Sequence, residues 1–457
     1  MKARFPLMGL LLAGGCVGER PPVPLASAVV PPAQWRTALA PEAAIQADWW
    51  RAFGDPVLAG LVERGLANNV DIATAVARVE EARAQQRFAQ AQRAPTLSTG
   101  VPLSEGQAVN AFGIPTLSTG FQPALQASYD LDLFGRLRQA SAAARAQLLA
   151  SRAAGDVARL AVASGIASSY IALRGLDARL AIARETLAAR AEGLRIARRR
   201  ADTGYTSALE LHQAEAEYRA AEQLVPQLAL AIARQENALA LLVGDAPGAI
   251  ARGALLDELL TPAIPAGLPA DLLRRRPDLA QAEQTLVAAD RTLDSARAAL
   301  LPSVALTGSA GVVLSTALSS PAGVFALGGS ILAPLFDAGR LRAQADAATA
   351  RRDQAAFAYR RAALTAFREV DDALAGVQRS GEQARALIAQ RDALAAALRN
   401  ATNRYRAGYS SYLEQLDAQR GLLSAELSAV QAETDRLNAY VALYQAMGGG
   451  WRSATAP

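Results

Sequence analysis

The chain has 457 residues, with 47 basic and 42 acidic side chains and a net charge of +5; 51% of it is apolar and 5% aromatic. That apolar fraction excludes intrinsic disorder, and a single cysteine excludes a disulfide scaffold. Alanine, roughly a quarter of the residues, favours long helices that pack closely. The only lysine is Lys2 and the only histidine His212. No phosphate-loop or Schiff-base lysine remains for the body of the chain, and no histidine-based metal site or triad. His212, in the helical pattern LELHQAEAEY, reads as a surface or packing residue. No catalytic residue, metal site or cofactor is expected, and the chain does not read as an enzyme.

The N-terminus, MKARFPLMGLLLAGGC, has a basic start at Lys2 and Arg4, a short apolar run from Leu7 to Ala13, and small residues before Cys16. This is a secretory signal, too short to span a membrane. It resembles a bacterial lipoprotein signal, with Ala13 where that family usually has leucine and Leu12 one place earlier. The resemblance implies a signal peptide over 1–15 and a lipidated Cys16. Val17 follows the cysteine where an aspartate would retain the protein at the inner membrane, which implies sorting to the outer membrane. An ordinary signal peptide that happens to hold a cysteine is the other reading. Taking Lys2 and Arg4 from the +5 leaves +3, which gives no support to nucleic-acid binding. Residues 16–48, with Pro21, Pro22, Pro24, Pro31 and Pro32, read as an extended tether.

The body is written twice. Asn69-Val70-Asp71-Ile72 corresponds to Arg276-Pro277-Asp278-Leu279, and Pro95 to Pro302, at an offset of 207. Gly135-Arg136-Leu137-Arg138 corresponds to Gly339-Arg340-Leu341-Arg342, and GYTSALE from Gly204 to GYSSYLE from Gly408, at an offset of 204. Two structural repeats follow, 49–260 and 261–451, joined in the Pro-rich stretch at 261–270, with a short tail at 452–457. Each begins with a helix, 70–94 and 278–301. Strands near 96–104 and 121–133, and near 303–314 and 324–335, come next. A helix of exceptional length runs over 137–202 and 340–406. After a Gly turn, a helix returns over 206–243 and 410–447.

The strands rest on period two. Phe121, Leu125, Ala127, Tyr129, Leu131 and Leu133 alternate with Gln122, Gln126, Ser128, Asp130 and Asp132. Val304, Leu306, Ala310, Val312 and Leu314 alternate with Ser303, Thr307 and Ser309. A strand of about 13 residues tilted about 45° spans roughly 30 Å, the thickness of a membrane's hydrocarbon. Hairpins lying on a soluble core are the other reading. A helix of about 66 residues makes a rod of roughly 100 Å. The two shorter helices of each repeat, end to end, nearly match it and could run beside it. Gly155, Gly165 and Gly175 cost helix propensity, and close approach of neighbouring rods would compensate. Pro226 should kink its helix.

Two repeats give four strands. Four cannot close a barrel, and an open edge cannot face lipid. The smallest closed membrane barrels have eight strands, so the chain must share a barrel with other copies of itself.

WWRAFGDPVLAGLVERGL from Trp49, LALLVGDAPG from Leu239, LPADLLRRRPDL from Leu268, YDLDLFGRLR from Tyr129 and the ending MGGGW from Met447 resemble the outer-membrane efflux proteins of Gram-negative bacteria, in their NodT-type lipoprotein branch. The likeness covers about 35–451. It implies a mainly α fold with a small membrane β part. It also implies a homotrimer whose twelve-stranded β-barrel, set in outer-membrane lipid, continues into an α-helical barrel through the periplasm. A periplasmic adaptor and an inner-membrane pump, commonly proton-driven, are the implied partners, and small molecules leave through the bore. A duct for protein secretion and a trimeric stalk or adhesin are the competing readings.

The turns Gly204-Tyr205-Thr206-Ser207 and Gly408-Tyr409-Ser410-Ser411 end the long helices at the same distance from the strands. In the family such turns meet the adaptor; capping of the returning helix by Ser207 and Ser411 is the alternative role. Leu413 and Asp417, four apart, share one helix face and match the positions at which related proteins form an apolar and an acidic ring, the periplasmic gate. Packing of Leu413 between helices and an ion pair of Asp417 with Arg420 is the alternative.

Overall fold

The computed structural model describes residues 19–37, 45–109, 112–264, 267–316 and 318–451. The signal peptide, Cys16 and the tail at 452–457 lie outside the described residues. The chain forms two units, one of residues up to 28, 77–152 and 281–361, the other of 29–76, 153–280 and 362 onward.

The first unit carries the sheet. Its strands are β1 (Thr96–Gly100), β2 (Leu103–Val109), β3 (Pro115–Phe121), β4 (Ala124–Asp130), β5 (Ser303–Ser315) and β6 (Ala322–Leu332). Six segments stand where four strands were expected, and two prolines explain the difference. Pro102 separates β1 from β2, and Pro123 separates β3 from β4. Neither has an N–H for the ladder. Their carbonyls still serve it: Gln122 donates to Pro102 O at 3.1 Å and Val312 to Pro123 O at 3.0 Å. Gly311 lets the strands close at this break, since a Cβ there would lie 2.4 Å from Pro123 O. The sheet is antiparallel, β1 on β4, β4 on β5, β5 on β6, with β2 on β3 and the end of β3 on β5. The expected strand over 121–133 meets β3 only at Phe121 and is otherwise β4, which stops at Asp130; most of β3, and β2 beyond Ser104, lie outside the expected ranges.

Cross-strand partners point to one side, so the register sorts the two faces. Thr99, Leu125, Ala310 and Phe325 form one row, and Leu97, Ala127, Gly308 and Leu327 the next. On the opposite side lie Ser98, Gln126, Ser309 and Ala326, then Thr96, Ser128, Thr307 and Gly328. The apolar side has nothing over it: Leu97 is 72% exposed, Phe325 88% and Leu327 89%. An apolar face exposed on one side and a hydroxyl-rich face on the other is the pattern of a membrane barrel wall.

The helices are α1 (Pro56–Asn68), α2 (Val70–Ala91), α3 (Arg136–Asp202), α4 (Ala208–Val243), α5 (Pro269–Arg275), α6 (Pro277–Ala298), α7 (Arg340–Arg406) and α8 (Tyr412–Ala446). α1 and α5, each before the first predicted helix of its half, went unread. Both long helices start on an acidic cap. Asp132 accepts from Leu137 N and Arg138 N at 2.9 and 2.7 Å, and Asp337 from Gly339 N and Leu341 N at 3.1 and 2.9 Å. Asp132 is therefore a cap and not a strand residue. α4 passes through Pro226 as one helix.

The second unit holds the cores. Trp49, Phe53, Leu58 and Val62 pack on Ile166, Tyr170, Leu239 and Leu437; Leu272 and Leu279 pack with Val370, Leu374 and Leu443. Buried Asp55 ties the first core together. It caps α1 through Val57 N at 2.7 Å, and accepts from Tyr170 OH at 2.7 Å and Ala254 N at 3.0 Å. Burial and this hydrogen bond push the Tyr170 hydroxyl well above the usual tyrosine range. Of the three α3 glycines expected at close approaches, one is such a site. A Cβ on Gly175 would lie 2.4 Å from Thr434 Oγ1 on α8; on Gly165 it would make ordinary contact with Leu242, and on Gly155 it would meet nothing.

Candidate functional site

The two turns expected to act together have the same backbone design, 204 residues apart. Gly204 has φ +74° and Gly408 +81°. Tyr205 N donates to Arg200 O at 2.8 Å, and Tyr409 N to Arg404 O at 2.9 Å. This is the closing bond of a left-handed helix end, which favours glycine. Tyr205 and Tyr409 are each 80% exposed, and Leu209 and Leu413, again 204 apart, are 66% and 51% exposed. Ser207 accepts only a long bond, 3.5 Å, from Glu210 N, and Ser411 makes no side-chain cap at all. The capping role is weak for the first serine and absent for the second. Thr206 Oγ1 and Ser410 Oγ are buried without a hydrogen-bond partner.

Side chains link the α3–α4 hairpin to the α7–α8 hairpin above these turns. Arg200 donates to Tyr405 OH at 2.7 Å, and Tyr405 donates to Glu210. Rings of Tyr405 and Tyr412 lie 5.6 Å apart, and the Arg200 guanidinium sits 5.1 Å from the Tyr405 centroid. Burial, then the hydrogen bond to Glu210, raises the Tyr405 hydroxyl to about 12, against the opposing charge of Arg200. Deeper along the helices, Glu217 of α4 is shared. Arg420 of α8 reaches its Oε1 with Nε at 2.7 Å and Nη2 at 2.5 Å, and Arg190 of α3 reaches its Oε2 at 3.4 Å. Arg190 also donates to Gln419. Burial lowers the Arg190 guanidinium's affinity for its proton, and Glu217 offsets part of that.

Leu413 and Asp417 lie together on the outer part of α8, both exposed. Asp417 makes no ion pair among the described residues, and Arg420, its candidate partner, is held by Glu217. Leu413 is 51% exposed in the single chain, and the charge of Asp417 still acts on Arg420 without a contact pair among the described residues. His212 is exposed. Sequence reading missed Arg190, Arg200, Tyr405, Glu210 and Glu217. The offset offered a partial signal, since it equates Arg200 with Arg404 and Glu210 with Glu414. In the second turn those equivalents pair directly, Arg404 to Glu414 at 3.2 Å; in the first, Tyr405 stands between them.

Among the described residues no group of histidine, cysteine, aspartate and glutamate could hold a metal ion.

The comparisons agree on one family. The outer membrane efflux protein family matches residues 61–245 and 268–449. The chain is 34% identical over 469 residues to the pyoverdine export outer membrane protein OpmQ of Pseudomonas aeruginosa, covering 99% of this chain and 98% of that one. It is 34% identical over 466 residues to the toluene efflux pump outer membrane protein TtgI of Pseudomonas putida, covering 98% of each. Among solved structures, the outer-membrane channel OprN superposes with a TM-score of 0.86 at 31% identity, over 95% of this chain and 99% of that one. The open-state MtrE channel of Neisseria gonorrhoeae gives 0.82 at 31%, over 96% and 99%. Mainly helical with a small β part, and carrying the fold of these channels, the chain belongs to the outer membrane efflux protein family.

Proposed function

We propose that the chain is the outer-membrane duct of a tripartite efflux system, a passive exit for small molecules such as drugs or other toxic compounds. The two-faced sheet carries this reading. Its lone apolar face needs lipid, its hydroxyl-rich face suits a water-filled bore, and β1 and β6 each keep an unpaired edge that must be closed. Three copies, each adding four strand paths, close a barrel of twelve. A periplasmic adaptor meets the exposed turns at Gly204–Ser207 and Gly408–Ser411, and an inner-membrane pump, driven by protons, supplies the energy. Three copies of Leu413 and Asp417 form the periplasmic constriction. Cys16 carries the lipid that anchors the chain in the outer membrane. The relatives' cargoes, pyoverdine and toluene, support small-molecule export, and the protein needs no catalysis of its own.

The test joins mass and transport. Detergent-solubilised protein should scatter light as a trimer and conduct ions in planar bilayers. Cells lacking it, with pump and adaptor present, should retain a fluorescent efflux substrate. A stable monomer with no conductance overturns the reading.

A further inference from the structure

The two long helices start alike but not in the same company. The offset of 204 equates Arg136 with Arg340, and Asp130 with Pro334. Arg136 pairs with Asp130 at 3.2 Å. Arg340 has a proline where that acid would stand. It is exposed, and it makes no ion pair or side-chain hydrogen bond among the described residues.

Both arginines line one cavity of about 370 Å³ in the first unit, between the start of α3, the end of α6 and the start of α7. Leu133, Leu137, Leu301 and Leu341 give it apolar walls. Its two carboxylates are committed, Asp130 to Arg136 and Asp132 to the backbone of Leu137 and Arg138. Asp337, close to Arg340 in sequence, likewise caps α7. Arg340 is thus the one charge of the cavity with no partner among the described residues.

Strand register gives the side on which the cavity opens. Asp130 faces Ala305, and Ser303 faces Leu332; these positions continue the hydroxyl-rich side of Thr96, Ser128, Thr307 and Gly328. Asp130, Ser303 and Leu332 all line the cavity. It therefore opens toward that side, where the helices pass into the strands. Beyond it the wall is almost without charge. Residues 95–129 hold one charged residue, Glu105, and residues 302–336 hold none. Glu105 is two places from Leu103, whose partner Phe121 faces Leu314 of the apolar side, so it points away from the bore. A solute moving outward along the strands meets Arg340 as the last unpaired charge.

Apolar walls around an unpaired guanidinium suit one ligand chemistry. The planar fork binds a carboxylate, sulfonate or phosphate through two parallel bonds, and the volume falls in the range of small-molecule pockets. We propose that the cavity binds an amphiphilic anion, an apolar body bearing such a head group, with Arg340 as its counter-ion, and that three copies form a landing site for anionic cargo at the entrance to the uncharged barrel. The role in export rests on the duct reading; the binding does not.

Photolabelling of the full-length protein in a neutral detergent tests the site. The probe is decanoate carrying a diazirine on its chain. Adducts mapped by mass spectrometry should concentrate on residues 133–137, 298–304 and 334–341. Unlabelled decanoate should compete, and decylammonium and inorganic phosphate should not. Arg340→Gln should weaken labelling about tenfold, the worth of one charge-assisted hydrogen bond. Pro334→Asp, which supplies the acid that the first half has at 130, should weaken it similarly with the arginine still present. Arg340→Lys, which keeps the charge but loses the fork, should fall between them and the parent. Parent-level labelling of Arg340→Gln or Pro334→Asp overturns the site, as does equal competition by decylammonium. Competition by phosphatidylglycerol as strong as that by decanoate would make the ligand a membrane lipid and overturn the landing site. In planar bilayers of phosphatidylcholine, decanoate should interrupt the current of the parent several-fold more often than that of Arg340→Gln. Equal interruption overturns the role in export. A parent that labels as expected but does not conduct supports the binding and fails the duct reading.

Discussion

Arg420 places both Nε and Nη2 on Oε1 of Glu217, 2.7 and 2.5 Å away, across 203 positions of sequence. Asp417, three residues earlier on the same helix, is left unpaired among the described residues. One guanidinium thus does two things: it joins α4 to α8, and it leaves a carboxylate exposed near the turn. Hydrogen bonding to Glu217 holds Arg420 above the usual arginine range.

Glu217→Gln should loosen this junction. Glutamine keeps the shape but gives two guanidinium groups a neutral partner, and the Glu217 side chain is only 11% exposed. Breaking such a pair from one side is strongly destabilising because charge is left uncompensated. The variant should melt at a lower temperature and conduct more in bilayers without an adaptor. An unchanged melting temperature and conductance would show that the pair holds nothing.

Gly175→Ala should destabilise the second unit by about 1–3 kcal/mol, the usual range for overpacking. The added Cβ would lie 2.4 Å from Thr434 Oγ1 and 3.3 Å from its Cγ2. Adding Thr434→Ala should recover most of the loss. Gly155→Ala meets no neighbour and should raise the melting temperature slightly through helix propensity. Thermal denaturation of all four proteins checks the set; equal effects at 155 and 175 would contradict the packing.

Glu426 gives a pH dependence. Burial first, then the like charge of Glu185 on α3, raises its carboxyl above the usual range, against the attraction of Arg391 on α7. A folded-state value above the unfolded one means the folded chain binds the proton more readily. Stability from this group is therefore present below the unfolded value and lost as pH rises through the folded one. At pH 7 the charged form is a cost, so Glu426→Gln should be more stable than the parent there. The difference should shrink as pH falls from 7 through the folded value and be gone below about 4.5. A constant difference across that range would mean the two states titrate alike.

The strand faces could be read from the chain because a barrel wall meets two different surroundings. Val304, Leu306, Ala310, Val312 and Leu314 alternate with hydroxyl residues for that reason, and β5 pairs in that register with both neighbours. The breaks at Pro102 and Pro123 were also written there, but alternation continues across them and hid them. The turn glycines were legible through the offset of 204. The Glu217 and Tyr405 networks were not, since their members lie about 200 residues apart and each looks like an ordinary helix-surface residue.

Tyr205→Glu and Tyr409→Glu together should abolish export while the oligomer still assembles. Both rings are 80% exposed and contribute little to the core, so a folding defect is not expected. An adaptor tip seated on two exposed aromatic rings would instead meet two buried negative charges. Export is read as efflux of a fluorescent substrate, and assembly as the oligomer band in outer-membrane extracts. Full export in the double variant would place the adaptor contact elsewhere.

The constriction itself is tested at Leu413 and Asp417. Both side chains are exposed on one chain, and Asp417 makes no ion pair among the described residues. In a ring of three, leucines would close the bore to water. Three carboxylates would repel one another through a medium that salt screens over about 10 Å at 0.1 M. Such a ring favours cations, and lowering the salt should sharpen that preference. Leu413→Ala with Asp417→Ala should therefore raise single-channel conductance and reduce the ratio of cation to anion permeability. Asp417→Asn alone should reduce selectivity with little change in conductance, because the apolar ring remains. Leu413→Ala alone should do the reverse. The two readouts separate the acidic from the apolar contribution, and their independence follows from the geometry: the residues are one helical turn apart, about 6 Å along the axis, and each forms its own ring. A double variant that conducts like the parent, with the same selectivity, would move the narrowest point of the duct away from α8.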